Sequence, residues 1–207
     1  MLWRVVPLIG LLFFLGLGFG WRTWFQARRY GGSGVVLFRS GRGEQTLREA
    51  LGVLLVVVMT AEAVTAAAAP TALAALGTVL PPDAAETGRP LGAVLLFGAT
   101  ALMVVAQTDL GASWRIGIEE AARPGLVTGG LYRLCRNPIF LFMLIGFAGF
   151  TLLLPNWLSL AMLAGAVVGV RRQVVEEEVY LLRTYPDEYR AYARRVGRFV
   201  PGIGRLG

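Results

Sequence analysis

The chain has 207 residues, 56% of them hydrophobic, and a mean hydropathy of +0.61, which reads as one integral membrane domain with no polar stretch long enough to fold as a second. Twenty basic residues, all arginine, face 13 acidic ones, but they are spread as a membrane protein places them and not as a nucleic-acid binder would. A single cysteine, Cys135, excludes an internal disulfide and a Cys-rich metal site, and the lack of histidine excludes His-bearing triads and zinc-hydrolase motifs.

The first apolar run, Val5 to Phe19, lacks a strongly basic start and a small-x-small cleavage site. Trp21-Arg-Thr-Trp24 follows it like an interfacial anchor, so it is expected to be a retained helix and not a signal peptide. Five spans fit the pattern, at about 5–20, 47–69, 90–106, 137–154 and 155–175. Pro70 breaks the second. The apolar annex 71–80 reads as re-entrant or packed on the bundle; as a sixth span it is short for about 30 Å of hydrocarbon. Pro155-Asn156 makes the turn between the last two spans, and the fifth is expected to continue as one helix through Glu176, Glu177 and Glu178.

Arginine placement then predicts orientation. Arg22, Arg28, Arg29, Arg39, Arg42 and Arg48 follow the first span, Arg115, Arg123, Arg133 and Arg136 follow the third, and eight more follow the fifth from Arg171 on. Arg4 and Arg89 alone fall on the other side. The positive-inside rule puts the amino terminus outside and the carboxyl terminus in the cytoplasm. Beyond Arg183, Thr184-Tyr-Pro-Asp187 has the form of a capping box, and Tyr185, Tyr189 and Tyr192 recur at helical spacing.

The chemistry-bearing residues flank the last hairpin. Gly129-Gly130, Tyr132, Arg136 and Asn137 precede the fourth span, and the three glutamates, with Arg171 and Arg172 a turn before them, leave the fifth. Carboxylates there suit a cationic or zwitterionic ligand; Asn137 and loop amides suit a carboxylate or a nucleoside. Pro138 would free the Leu134 carbonyl from a helical bond. Each has a plainer reading: a solvated face with Arg172–Glu176 pairing, tyrosines packed at the membrane surface, and a small packing role for Cys135. Glu62, inside the second span, is either a functional carboxylate or an interhelical hydrogen-bond partner.

The order of these pieces resembles the isoprenylcysteine carboxyl methyltransferase family, a broad group of integral membrane methyltransferases whose relatives methylate phospholipid amines and small thiols. The matching residues are Leu126-Val-Thr128, Gly129, Tyr132-Arg133, Arg136-Asn-Pro138, Phe140, Glu177-Glu178-Val-Tyr-Leu181, Tyr189, Tyr192 and Arg198-Phe-Val-Pro201, over about 111–201. The resemblance implies an all-α membrane fold of three helices over 1–110 and a methyltransferase core over 111–207. It implies S-adenosylmethionine on the cytoplasmic side, in what reads as a bacterial inner membrane. The contacts carried over are Pro124, Gly125, Leu126, Val127, Tyr132, the turn Asn137, Pro138, Ile139 and Phe140, and Glu177, the last on the cofactor's amino group or ribose. A lipid or small hydrophobic acceptor would arrive from the bilayer.

Three departures stand out. Asn137 replaces a histidine common in the family, Tyr185-Pro186 replaces Phe-Gly, and Gln173 takes the place of a basic substrate-binding residue, with Arg172 beside it but turned by about 100°. The last argues against a prenylcysteine carboxylate as acceptor. A carboxylate acceptor needs no general base; a thiol or amine needs one, from Glu177, Glu178 or a tyrosine. Two other readings remain open at this point: a nicotinamide-dependent membrane sterol or steroid reductase, and a non-enzymatic carrier or scaffold.

Overall fold

The computed structural model describes residues 2–39, 41–116 and 125–207. The regular structure among them is helical, with two isolated bridges, Val35 to Ile116 and Cys135 to Gly197. The α-helices are α1 (Leu2–Leu15), α2 (Arg22–Tyr30), α3 (Gly43–Ala68), α4 (Pro82–Asp109), α5 (Pro138–Leu153), α6 (Trp157–Thr184) and α7 (Pro186–Arg195).

By length and composition, four helical stretches can cross a membrane: Leu2–Tyr30, α3, α4 and α6. The fourth expected span is α5, apolar throughout but only 16 residues, or roughly 24 Å. Two expected boundaries are corrected. The first helix does not stop near residue 20: a π-helical turn, Gly16–Trp21, carries it into α2 and on to Tyr30. The wider turn frees carbonyls, and Gln107 Nε2 donates to that of Gly18 at 3.0 Å. The third span's helix begins at Pro82, before Pro90. Pro82 lies in the first turn, where its missing N–H costs nothing, and Pro90 sits inside the helix at the loss of one backbone bond.

Helix packing follows the rule for apolar surroundings, where small residues bring backbones together. Gly92 of α4 faces Gly149 of α5 so closely that a Cβ on Gly149 would lie 2.6 Å from the Gly92 carbonyl. Around that seam Leu11, Phe14, Met59, Leu96, Phe147 and Phe150 form the core, while Leu12, Leu51, Val57, Leu91, Val94 and Val168 point outward. A large apolar outer surface is what a bilayer-embedded bundle presents.

Cross-helix bonds sort the two ends of the bundle. At one end Arg48 pairs with Glu176, Arg22 binds the carbonyls of Gln107 and Gly111, and Asp109 accepts from the Leu131 amide. At the other, Glu62 accepts from Asn156 Nδ2 at 2.5 Å, and Thr78 and Val79 donate to the Pro155 carbonyl. Most arginines therefore gather at one end. Glu62 takes the interhelical role. The annex forms a 3-10 helix, Pro70–Leu76, and is seated against the α5–α6 turn, which rejects a sixth span.

Capping also differs from expectation. Thr184 does not cap α7: its hydroxyl donates back to the Tyr180 carbonyl, and Tyr185 precedes the helix without a side-chain bond to its amides. The capping box is at the start of α6, where Asn156 Oδ1 accepts from the Leu158 and Ser159 amides, both at 3.0 Å. Nor does Pro138 free a helical carbonyl at Leu134, because Pro138 opens α5 and Leu134 ends the preceding 3-10 turn.

Candidate functional site

The arginine-rich end is assembled from three pieces: the segment 125–137, the last turns of α6, and the tail from α7 onward. Their junction is a buried ionic hub. Arg136, 5% exposed, donates to Glu178 Oε1 from Nε at 3.2 Å and from Nη2 at 2.8 Å. Its remaining donors reach the carbonyls of Ala193, Val196 and Gly204, at 3.1, 2.6 and 3.1 Å. Arg198 closes on the other carboxylate oxygen, with Nη2 2.6 Å from Glu178 Oε2. One carboxylate and two guanidiniums thus pin the tail beneath α5 and α6, and fork geometry is what makes such a hub possible.

Neutral contacts complete the junction. Arg136 N donates to the Gly197 carbonyl at 2.9 Å, Asn137 Nδ2 to the Arg198 carbonyl at 3.2 Å, and Tyr192 Oη to the Tyr132 carbonyl at 2.7 Å. Tyr189 and Tyr192 are buried edge to face at 6.1 Å, with Leu126 and Tyr185 packed against them, so the tyrosines form an internal face of the protein. The Tyr185 hydroxyl accepts from Gly125 N at 3.0 Å. Through these bonds the expected cofactor loop is tied to the tail.

The expected site residues separate into groups. Gly125, Leu126 and Val127 lie on the loop held by α7; Tyr132 is buried in the 3-10 turn Gly130–Arg133; Asn137 and Pro138 are buried and Ile139 and Phe140 half-buried at the start of α5. Pro124 lies outside the described residues. Glu177 is half-buried on α6, and its Oε1 accepts from Gln173 Nε2 at 3.0 Å, one turn earlier. Arg172 is exposed, and Glu176 is paired with Arg48 of α3, not with Arg172.

Tyr132 lies within electrostatic reach of Glu177. Its phenol is pushed above the ordinary tyrosine range, first by burial and then by the nearby negative charges of Glu177 and others including Asp109. It therefore remains protonated at neutral pH, able to donate a hydrogen bond and unfit to take up a proton. Burial likewise raises the Cys135 thiol, which leaves that side chain an unreactive packing group. Tyr189 is pushed up to about 12, again chiefly by burial.

What sequence reasoning missed was the pairing. Arg136 and Glu178 are both visible as charged groups, but their partnership spans 42 residues, and Arg198, though part of the matching Arg198-Phe-Val-Pro201, carries no sign of which carboxylate it meets. Asp109 was not singled out either. Its carboxylate accepts from Leu131 N at 2.8 Å, and Gly130, at φ +55°, sits so close that a Cβ there would fall on the carboxyl group.

Residues 88–188, from within α4 to the first turn of α7, match the model of the phospholipid methyltransferase family. No curated protein matches the chain. The match fits a membrane methyltransferase in general, as do the helices long and apolar enough to cross a membrane, and it favours that reading over the reductase and carrier readings.

Proposed function

We propose, on the premise that residues 88–188 form a phospholipid methyltransferase domain of a helical membrane protein, that this chain is an S-adenosylmethionine-dependent methyltransferase. Its acceptor is a hydrophobic or small molecule offering a carboxylate, thiol or amine. By the positive-inside rule the arginine-rich end faces the cytoplasm, and a bacterial inner membrane suits this arrangement.

The observation that carries the reading is the match over 88–188 together with the tail's hold on its loop: Tyr185 accepts from Gly125 N, Tyr192 donates to the Tyr132 carbonyl, and Glu177 of α6 accepts from Gln173. The donor set fits the cofactor: an ammonium and ribose hydroxyls need an acceptor such as Glu177, which Gln173 orients. Leu126, Val127, Ile139 and Phe140 offer apolar surface for an adenine. Bound S-adenosylmethionine supplies a methyl group already activated by its sulfonium, so the protein has to position the acceptor and exclude water.

The residues then take distinct roles. Glu178 is committed to Arg136 and Arg198 and acts as an anchor, outside the chemical step. Tyr132 donates. Of the expected set, Glu177 remains to receive a proton from a thiol or amine, and a carboxylate acceptor would need no such group.

Calorimetry with S-adenosylhomocysteine on the detergent-purified protein tests this. Wild type is expected to bind and Glu177→Gln to lose binding while keeping its melting temperature. Asn137→Ala should also weaken binding, but because Asn137 holds the Arg198 carbonyl it will loosen the tail as well, so Glu177→Gln is the cleaner variant. Binding of NADPH in place of S-adenosylhomocysteine would sink the proposal.

A further inference from the structure

We infer that Asp109 and Arg22 are positioning residues for the Tyr132 side of the site: the first helix fixes the end of α4 so that Asp109 can hold the turn carrying Tyr132. This rests on the methyltransferase reading above. It extends that reading to α1 and α2, which lie outside the matched region.

The last carbonyls of a helix have no partner within it and carry its negative dipole end. At the end of α4 two carbonyls that bracket Asp109, those of Gln107 and Gly111, accept from Arg22 Nη2 at 3.2 and 2.8 Å. Arg22 is fully buried; its guanidinium stacks 4.5 Å from the Trp114 ring, and its Nη1 donates to Gln26 Oε1 at 2.7 Å. Gln26 in turn donates to the Ala112 carbonyl at 3.1 Å. The stretch 107–114 is therefore gripped by α2 through a cation and an amide.

Asp109 passes that constraint on. Its Oδ2 accepts from Leu131 N, and Tyr132 is the next residue. Gly130 belongs to the same fit, since its positive φ and missing Cβ let the carboxylate approach. A simple turn cap would also make the Asp109 bond; what distinguishes positioning is that ligand affinity follows the bond while the fold does not.

The test uses the full chain in detergent, with Asp109→Ala, Asp109→Asn and Arg22→Met. Each is measured for S-adenosylhomocysteine affinity by calorimetry, for melting temperature, and for amide hydrogen exchange. Asp109→Ala should weaken binding about tenfold, the equivalent of one lost hydrogen bond, and speed exchange at the Leu131 amide. Asp109→Asn keeps an acceptor oxygen and should restore both to within about threefold. Arg22→Met should speed exchange in 107–114 and at Leu131 together and weaken binding likewise; should it fail to fold, the Asp109 pair still decides. Faster Leu131 exchange in Asp109→Ala with unchanged affinity would reduce Asp109 to a turn cap and overturn the inference. So would an Asn variant as weak as the Ala one. Wild type that does not bind S-adenosylhomocysteine overturns the methyltransferase reading itself, and the inference falls with it.

Discussion

Two buried arginines, one in each half of this molecule, anchor their surroundings by opposite means. Arg136, in the carboxyl-terminal half, meets a carboxylate, Glu178, which it shares with Arg198. Arg22, in the amino-terminal half, is 0% exposed, and its bonds go to two carbonyls at the end of α4 and one amide oxygen, with the Trp114 and Phe25 rings against its faces. Burying a cation without compensation is costly. A counter-charge meets that cost at the tail; a helix end and aromatic faces meet it at the first helix. The difference is one of charge: the tail's two guanidiniums converge on one carboxylate, with carbonyls around it, while the guanidinium of the first helix meets neutral groups.

The sharpest way to break the comparison is to delete the shared carboxylate. Glu178→Ala leaves two guanidiniums facing each other, one of them with a side chain only 1% exposed. Removing one partner of a buried pair costs about 3–5 kcal/mol, and the low end, about 3, applies because Arg198 is 37% exposed and can turn to water. The melting temperature should fall and a protease should cut within 186–207 while the apolar helices survive. A tail as resistant as wild type would mean that the carbonyls around Arg136 suffice without Glu178. Arg22→Met should cost less, about 2 kcal/mol, since it removes the buried charge together with its bonds and leaves neutral acceptors unpaired. If instead the Met variant proves the more damaging in thermal unfolding, a helix end is a stronger counter-charge than a carboxylate here, and the comparison inverts.

Much of the fold was legible because apolar runs, prolines and arginine spacing are local signals. Five apolar helices and the gathering of arginines follow from them, whereas the seat of the annex, open in the sequence, is set by its bonds to the α5–α6 turn. The errors have physical causes as well. Arg22 falls beyond the expected end of the first span near residue 20, in what reads as an interfacial anchor, whereas a π-helical turn over Gly16–Trp21 carries the helix on into α2. Thr184-Tyr-Pro-Asp187 has the spelling of a cap, but the Thr184 hydroxyl found a carbonyl four residues back. Asn156-Trp-Leu-Ser159 caps α6 with serine where a glutamate or glutamine is the usual signal. In the candidate site, residue types were legible and partnerships were not. Nothing local distinguishes Glu177, which leans on Gln173, from Glu178, which is enclosed by arginines from 20 and 42 residues away.

A neutral bond inside the charged half gives the finest gauge of how much the hub owes to charge. Tyr192 Oη donates to the Tyr132 carbonyl at 2.7 Å, and Phe at this position keeps the ring while deleting the donor. The loss should be about 1 kcal/mol, a third of that for Glu178→Ala, because a neutral bond is largely repaid by water in the unfolded chain. Its pH dependence has a fixed sign. Burial raises the Tyr192 phenol above the ordinary tyrosine range, so the folded chain keeps the proton after the unfolded chain has begun to lose it. The stabilisation is then fully present below the unfolded value near about 10 and fades as pH rises above it. Denaturant unfolding of wild type and Tyr192→Phe should give a constant gap from neutral pH to about 9 and a shrinking one beyond. A gap that widens in alkali would show the phenol ionising more readily in the fold than out of it, which can happen only if the cations of the hub reach Tyr192 more strongly than burial does.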